Sequence, residues 1–337
     1  MRRLTIDPAV FDLSRAEPEL IATNADIIAM QKAKPSPWTL PIETVRQARR
    51  DGRGTFPAVA PDPDAETGSF TSRSGHAIPL RIFRPAGTEP RGTYLHFHGG
   101  GWVFGAAAEF DPFLRRLAQQ TGLVVASVDY RLAPEHPFPA GPDDCEEVAL
   151  ALASGLIPGL PTGFLAIGGE SAGAHLSVLT LIRLRDRHGL APFGAANLNA
   201  GCYDLSMTPS VRSWGEERLV LNTEDIGQFV QRFLKNGEDP RSAAVSPLYA
   251  GLKGLPPALF TVGTCDLLID DTLFMAQRWL AAGNGMELSL HNAGCHVFQA
   301  FPSAAGVRSM AEIETFIRHR YAETVAGGAR TGATVDA

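Results

Sequence analysis

The sequence predicts an α/β fold in which a mostly parallel sheet is covered by helices on both faces. The first observation is an alternation of short apolar runs with stretches of helical length, which continues from about residue 69 to residue 322. The second is that several of these runs are mostly apolar, as expected of parallel strands buried on both faces. The third is size, because 337 residues with 45% hydrophobic and 20% charged side chains can bury such a core.

Eight segments have the composition of strands. They are residues 69–73, 78–84, 93–98, 123–129, 164–168, 195–200, 258–262 and 287–291. The first two are joined by Ser74-Gly75-His76, which predicts a hairpin. Helices are predicted over residues 111–120, 142–153, 171–187, 270–282 and 306–321. Strands that alternate with helices of this length indicate a parallel sheet with crossover connections.

Three further segments stand apart from this alternation. Residues 1–55 have helix-type spacing, and the Pro- and Gly-rich stretch that follows them, up to residue 68, has the composition of a linker. We therefore separate an N-terminal helical segment, 1–55, from a catalytic domain over 56–322. Residues 204–235 interrupt the alternation with an insertion that contains a predicted helix at 224–234, and insertions at strand ends often form lids. Residues 323–337 are small and polar, and we expect a disordered tail there.

Charge and cysteine content exclude several classes of protein. The formal net charge is −6, from 30 basic and 36 acidic side chains, which argues against a nucleic-acid partner. The four cysteines contain no C-x-x-C pair, so neither a disulfide framework nor a structural zinc site is predicted. We recognise no signal peptide and no membrane-spanning stretch, and we expect a cytoplasmic protein without membrane insertion. A homodimer is compatible with the sequence.

The sequence Gly-Glu-Ser-Ala-Gly at 169–173 matches the pattern G-x-S-x-G. It lies between a predicted strand and a predicted helix, and a serine at such a turn is held in a strained conformation with its Oγ above the sheet edge. Glycines on either side allow strand and helix to approach each other. A dinucleotide-binding loop is excluded because the G-x-G-x-x-G spacing is absent. We therefore predict Ser171 to be a nucleophile.

A second motif, His-Gly-Gly-Gly-Trp at 98–102, follows the predicted strand at 93–98. Successive glycines let backbone N–H groups approach a tetrahedral oxyanion. We expect the donors to be the N–H groups of Gly100, Gly101 and Ala172. For the neighbouring His96 and His98 the sequence shows no third metal ligand, so a structural role is preferred to a metal site. We expect His98 to hydrogen-bond to the backbone of the glycine loop.

The remaining members of a catalytic triad are expected after the nucleophile, in the order acid and then base. His296 follows the last predicted strand in a loop, whereas His291 and His319 fall within predicted regular structure. Asp266 lies just beyond the strand at 258–262, and its loop should neighbour that of His296. Asp270 is the alternative acid, although its position favours the start of the next helix.

At this point the sequence resembles the bacterial hormone-sensitive-lipase-like esterases of the α/β-hydrolase superfamily. The resemblance lies in residues 98–102, 129–139, 169–173, 246–249 and 255–258, together with Asp266 and His296. It implies the α/β-hydrolase fold with a central eight-stranded, mostly parallel sheet and a helical cap formed by the N-terminal residues and residues 204–235. It also implies hydrolysis of short- to medium-chain acyl esters by a serine mechanism that needs no cofactor.

Two positions depart from the family pattern. Glu170 stands where the family often has Asp, and Val297 follows the base where the family usually has Gly, which narrows the space beside His296. Large side chains either form the wall of the substrate pocket or pack within the cap: Trp38, Trp102, Trp214, Leu219, Val220, Phe229 and Val297. A lactone, carbamate or amide hydrolase with the same triad is the alternative function. A non-catalytic small-molecule receptor is disfavoured because all three triad residue types are present.

Overall fold

The computed structural model describes residues 4–87 and 89–331, with the side chains of 327–331 excluded. Eight strands form one sheet in the order β1-β2-β4-β3-β5-β6-β7-β8. They are β1 (Glu66–Thr71), β2 (Ala77–Phe83), β3 (Thr93–Phe97), β4 (Val124–Val128), β5 (Leu165–Glu170), β6 (Ala195–Asn199), β7 (Ala258–Gly263) and β8 (Met286–His291). The predicted fold class and all eight predicted strands are confirmed.

The sheet is antiparallel at one edge and parallel elsewhere. Strand β2 pairs antiparallel with both β1 and β4, whereas every pairing from β4 through β3, β5, β6 and β7 to β8 is parallel. Each residue of the five strands from β3 to β7 is buried, while the edge strand β1 is largely exposed. Burial on both faces explains why the central strands are mostly apolar.

Nine α-helices lie within the described residues. They are α1 (Pro18–Lys32), α2 (Ile42–Arg50), α3 (Asp111–Thr121), α4 (Ala140–Ala153), α5 (Ala172–His188), α6 (Pro209–Trp214), α7 (Thr223–Phe233), α8 (Ile269–Ala281) and α9 (Ala304–Thr331). Shorter 3₁₀ helices occur at Pro8–Phe11, Leu13–Arg15, Pro37–Thr39, Ala107–Phe110, Pro247–Tyr249 and Phe298–Ala300. No helix of the described chain is long and apolar enough to cross a bilayer.

The structure differs from the sequence-based expectation at two helices. The six-residue helix α6 was not predicted, because a segment this short carries little periodicity. Helix α9 continues to Thr331, so residues 323–331 of the expected disordered tail are helical, and residues 332–337 lie outside the described part of the chain. Alanine has the highest helix propensity, so Ala322 and Ala326 favour a helix, and the polar residues next to them in the sequence do not prevent one.

The N-terminal helices and the insertion that contains α6 and α7 are joined to each other. The indole Nε1 of Trp38 donates to Asp225 Oδ1 at 2.7 Å, and the Trp38 ring makes an edge contact with Phe229 at 4.9 Å between centroids. Asp225 also closes a capping box with Asn222 at the start of α7. These contacts join two segments that are nearly 200 residues apart in the chain.

Candidate active site

The loop between β5 and α5 holds Ser171 in a strained conformation. Its φ is 56° and its ψ is −117°, in the positive-φ region that non-glycine residues rarely adopt. A Cβ on Gly169 would lie 2.1 Å from Phe97 O, and one on Gly173 would lie 1.8 Å from the same atom. Only glycine therefore fits at either position, and the strand and helix can meet closely enough to present Ser171 at the sheet edge.

His296 and Asp266 are brought together by the loops after β8 and β7. His296 Nδ1 lies 2.9 Å from Asp266 Oδ2, while Asp266 Oδ1 accepts a hydrogen bond from Leu268 N at 2.9 Å. Both side chains are buried, and His296 lines the same cavity as Ser171. A Cβ on Gly263 would lie 1.9 Å from Gly294 O, so the two loops pack backbone against backbone.

The other acid and base candidates have different partners. Asp270 Oδ2 accepts a hydrogen bond from Ser210 N at 2.8 Å, at the start of α6. His291 Nε2 lies 2.9 Å from Ser289 Oγ and 3.3 Å from Glu312 Oε2. Among the described residues, neither side chain hydrogen-bonds to Asp266 or His296.

Two free cysteines flank the acid and the base. Cys265 N donates to Gly294 O at 3.0 Å, which places it next to the Cys295 loop. Burial raises the pKa of the Cys295 thiol to about 12, and the nearby Asp266 carboxylate acts in the same direction. Burial likewise raises the pKa of Cys265. Both thiols are therefore protonated at neutral pH and behave as small packing residues.

The glycine loop after β3 is fixed by the residues around it. Gly100 has a φ of 124°, and a Cβ there would lie 2.2 Å from Phe104 O. His98 Nδ1 lies 2.9 Å from Gly99 O, which is the expected hydrogen bond to the glycine loop, and burial lowers the His98 pKa. Tyr130 stacks on the His98 ring at 4.3 Å and donates its hydroxyl to His98 O at 2.8 Å. The loop therefore presents its N–H groups from a rigid base.

His96 is held within the sheet rather than at a metal site. Its Nδ1 lies 2.8 Å from Ser127 Oγ, and its Nε2 lies 3.1 Å from the nearer oxygen of Glu170. Both side chains are buried. Within the described residues, no group of three or more His, Cys, Asp or Glu side chains could hold a metal ion.

A cavity of about 600 Å³ opens above Ser171 and His296. The expected pocket residues that line it are Trp102, Val220, Phe229 and Val297, together with the expected oxyanion donors Gly100, Gly101 and Ala172. The lining also includes residues that the sequence did not single out: Phe56, Phe110, Phe113, Leu221, Ile226 and Met310. Of these residues, Ile226 could have been predicted from the sequence, because it precedes Phe229 by three positions and therefore lies on the same face of the helix.

Three expected wall residues do not line the cavity. Trp214 Nε1 donates to Glu217 O at 2.8 Å, and the indole ring packs against the hydrophobic core. Leu219 is buried in a cluster with Leu20 and Phe298. Trp38 lies behind Phe229, where its indole bonds to Asp225. All three side chains satisfy the packing alternative: Trp214 and Leu219 share a hydrophobic cluster with residues of α1, and Trp38 packs from the N-terminal segment onto α7.

Comparison with known proteins supplies the family. A family model described as alpha/beta hydrolase fold matches residues 94–300, more than half of the chain. The carboxylic ester hydrolase LipN of Mycobacterium tuberculosis is 34% identical over 246 residues, which cover 69% of this chain and 65% of LipN. The chain thus spans slightly less than two thirds of that relative.

Two solved structures are similar over almost their whole length. An esterase of Pyrobaculum calidifontis superimposes with a TM-score of 0.79 at 28% identity, covering 90% of this chain and 98% of the esterase. An esterase from the bacterial hormone-sensitive lipase family superimposes with a TM-score of 0.76 at 29% identity, covering 90% and 99%. Taken with the family match and the site geometry, this similarity shows that the chain belongs to the bacterial hormone-sensitive-lipase-like esterases of the α/β-hydrolase superfamily.

Proposed function

We propose that the protein is a serine carboxylesterase that hydrolyses short- to medium-chain acyl esters through an acyl-enzyme on Ser171. The observation that carries the proposal is the strained Ser171, which shares one cavity with a buried His296 whose Nδ1 lies 2.9 Å from Asp266. A nucleophile, a base and a group that orients the base are the requirements for acyl transfer.

The reaction takes place in two halves. His296 Nε2 takes the proton of Ser171 Oγ as the oxygen attacks the ester carbonyl, and the N–H groups of Gly100, Gly101 and Ala172 bind the resulting oxyanion. The C–O bond to the alcohol then breaks, and His296 donates its proton to the departing oxygen. Water attacks the acyl-serine in the same way, with His296 as base, and releases the carboxylic acid. Asp266 accepts from His296 Nδ1–H and stabilises the imidazolium throughout.

The cavity supports the proposed substrate range. Its volume of about 600 Å³ is within the range of roughly 300–1,000 Å³ that is usual for small-molecule sites. Its walls are mostly apolar, and Val297 lines it next to the base. We infer that the N-terminal 55 residues and residues 204–235 form a cap, because α2 and α7 both contribute wall residues. Location in the cytoplasm and assembly as a homodimer stay predictions.

The proposal is tested with p-nitrophenyl esters from acetate to palmitate. We expect turnover that declines beyond medium chains, because the cavity is bounded by aromatic side chains such as Phe229 and Phe56. Ser171→Ala should abolish turnover with little loss of stability, since it removes only the Oγ and keeps the Cβ and the backbone conformation of residue 171. Thermal unfolding of both proteins provides the control. Activity retained by Ser171→Ala, or a folded wild type inactive on every ester, would overturn the assignment.

A further inference from the structure

The expected oxyanion donors come from two separate elements. Gly100 and Gly101 belong to the loop after β3, whereas Ala172 is the first residue of α5. Because an oxyanion is bound well only when all donors converge on one point, the loop and the helix must keep a fixed separation. The following inference rests on the proposed function, since it concerns what fixes that separation.

Among the described residues, one side-chain hydrogen bond joins the two elements directly beside these donors. Trp102, the residue after Gly101, donates its indole Nε1–H to His175 Nδ1 at 3.1 Å. His175 lies in the first turn of α5, three residues after Ala172. Both side chains are buried, and the rings meet edge to face at 5.0 Å between centroids. The bond therefore spans from one half of the oxyanion hole to the other.

The partners of His175 fix its tautomer. Its Nε2 lies 2.7 Å from Val245 O, which can only accept, so Nε2 carries the proton. Its Nδ1 is consequently a lone-pair acceptor, which is what an indole N–H requires. Burial lowers the pKa of His175 to about 4, so the ring is neutral under ordinary conditions. The acceptor is thus present at every pH at which a serine esterase of this type would operate.

The backbone of Trp102 needs such a restraint. Its φ of 62° is unfavourable for a bulky side chain and persists only when the surroundings hold it. Its ring stacks on Phe233 at 4.6 Å, and its carbonyl accepts from Ala133 N at 2.9 Å. Stacking alone lets the Trp102 ring slide over Phe233. The hydrogen bond of the Trp102 carbonyl is made to Ala133 and not to α5. The backbone of α5 also packs on the end of β3, where a Cβ on Gly173 would lie 1.8 Å from Phe97 O. The bond to His175 adds a side-chain restraint between α5 and the part of the loop that follows Gly101.

We propose that His175 is a positioning residue: by accepting the indole N–H of Trp102, it sets the glycine loop at the distance from α5 at which the two sets of oxyanion donors converge. His175 does not touch the substrate and transfers no proton. Its effect acts on the transition state, because the oxyanion forms only there, and ground-state binding of the ester depends little on it.

The test compares Trp102→Phe, His175→Leu and the double variant with wild type on p-nitrophenyl butyrate. Trp102→Phe keeps an aromatic ring beside Phe233 and removes the donor together with part of the indole, and His175→Leu removes the acceptor. We expect kcat to fall about tenfold in each single variant with KM changed less than about twofold. The double variant should be no slower than either single one, because both remove the same bond. His175→Asn, whose Oδ1 can replace Nδ1 as acceptor, should recover most of the lost kcat.

A matched control comes from another buried indole. Trp279 is fully buried in α8 and donates its Nε1–H to Pro256 O at 3.0 Å, so Trp279→Phe removes a comparable hydrogen bond away from the site. It should lower stability in the same way and leave kcat unchanged. A trifluoromethyl ketone, which forms a tetrahedral adduct with a serine, should bind about tenfold more weakly to Trp102→Phe than to wild type and equally well to Trp279→Phe.

Two outcomes would overturn the inference. The first is that Trp102→Phe has the same kcat as the Trp279→Phe control, while the wild type is active and Ser171→Ala is inactive. That result leaves the proposed function standing, whereas an inactive wild type would overturn both. The second is measured on the wild type and so does not depend on whether a variant folds. We expect ¹⁵N spectra of histidine-labelled protein to show His175 with a proton on Nε2 and none on Nδ1. A proton on Nδ1 at neutral pH would contradict the hydrogen bond.

Discussion

Two carboxylates five positions apart have different tasks in this protein. Asp266 is held from both sides, by Leu268 N on one oxygen and His296 Nδ1 on the other, so its carboxylate cannot turn away from the imidazole. Asp271 is equally buried but faces the backbone of residues 203–204 and the hydroxyl of Thr208. Residue type and burial do not distinguish the two carboxylates, but their hydrogen-bond partners do.

Asp266→Asn tests the orienting role directly. An amide at this position would favour the wrong imidazole tautomer, so we expect kcat to fall by roughly 10⁴ while KM changes little. Asp270→Asn is the matched control, since its carboxylate serves Ser210 N, and it should retain most of the wild-type kcat. A larger loss for Asp270→Asn than for Asp266→Asn would assign the acid to the other carboxylate.

At the level of elements, helices on both sides of the cavity are tied down by charged side chains. Arg46 of α2 donates to Val103 O at 3.0 Å and to Ala133 O at 2.9 Å, and pairs with Glu135 at 2.8 Å. Asp271 of α8 holds the root of the insertion through Tyr203 N at 2.6 Å, Asp204 N at 2.8 Å and Thr208 Oγ1 at 2.7 Å. Hydrogen bonds therefore attach α2 to residues 103 and 133, and the start of the segment that contains α6 and α7 to α8.

The anchor at Asp271 makes stability depend on pH. Burial raises its pKa from 3.8 to about 7, so the folded state binds this proton more tightly than the unfolded state. The stabilising contribution of the protonated form is complete below pH 3.8 and is lost as pH rises through about 7, with a slope of up to about 1.4 kcal/mol per pH unit. Asp271→Asn removes this titration and keeps an acceptor for the two backbone N–H groups.

The measurement is urea unfolding of wild type and Asp271→Asn at pH 5 and pH 8. We expect the variant to gain stability relative to wild type at the higher pH. Other carboxylates contribute equally to both proteins, so the difference between the two isolates Asp271. An identical pH dependence in the two proteins would contradict the role given to this residue.

For the whole molecule, the sequence was informative where structure is local or periodic. The central strands were predictable because burial on both faces makes them mostly apolar. Their places after strands predicted that Ser171, Asp266 and His296 would lie at one sheet edge, and their roles as a triad stay predictions. The antiparallel placement of β2 beside β4 carries no local signal. The same is true of cavity walls such as Phe56 and Met310, which approach Ser171 only through tertiary packing.

For a physical reason, the sequence did not decide whether large side chains of the insertion form the pocket wall or pack within the cap. Trp214 and Leu219 belong to the insertion, and their size alone suggested a pocket wall. The N-terminal helices cover them instead, since Leu219 packs against Leu20 of α1. Packing between segments about 200 residues apart decides which apolar side chain faces a ligand and which faces a neighbouring helix. The spacing of residues along the sequence does not indicate this.

The central claim is that Ser171 forms the covalent intermediate, and covalent labelling tests it most directly. An alkyl fluorophosphonate transfers its phosphonyl group to an activated serine Oγ with release of fluoride. We predict that the native protein gains the mass of one phosphonyl group, that the label maps to the peptide containing Ser171, and that Ser171→Ala gains none. Labelling at another residue, or no labelling of folded wild type, would contradict the account.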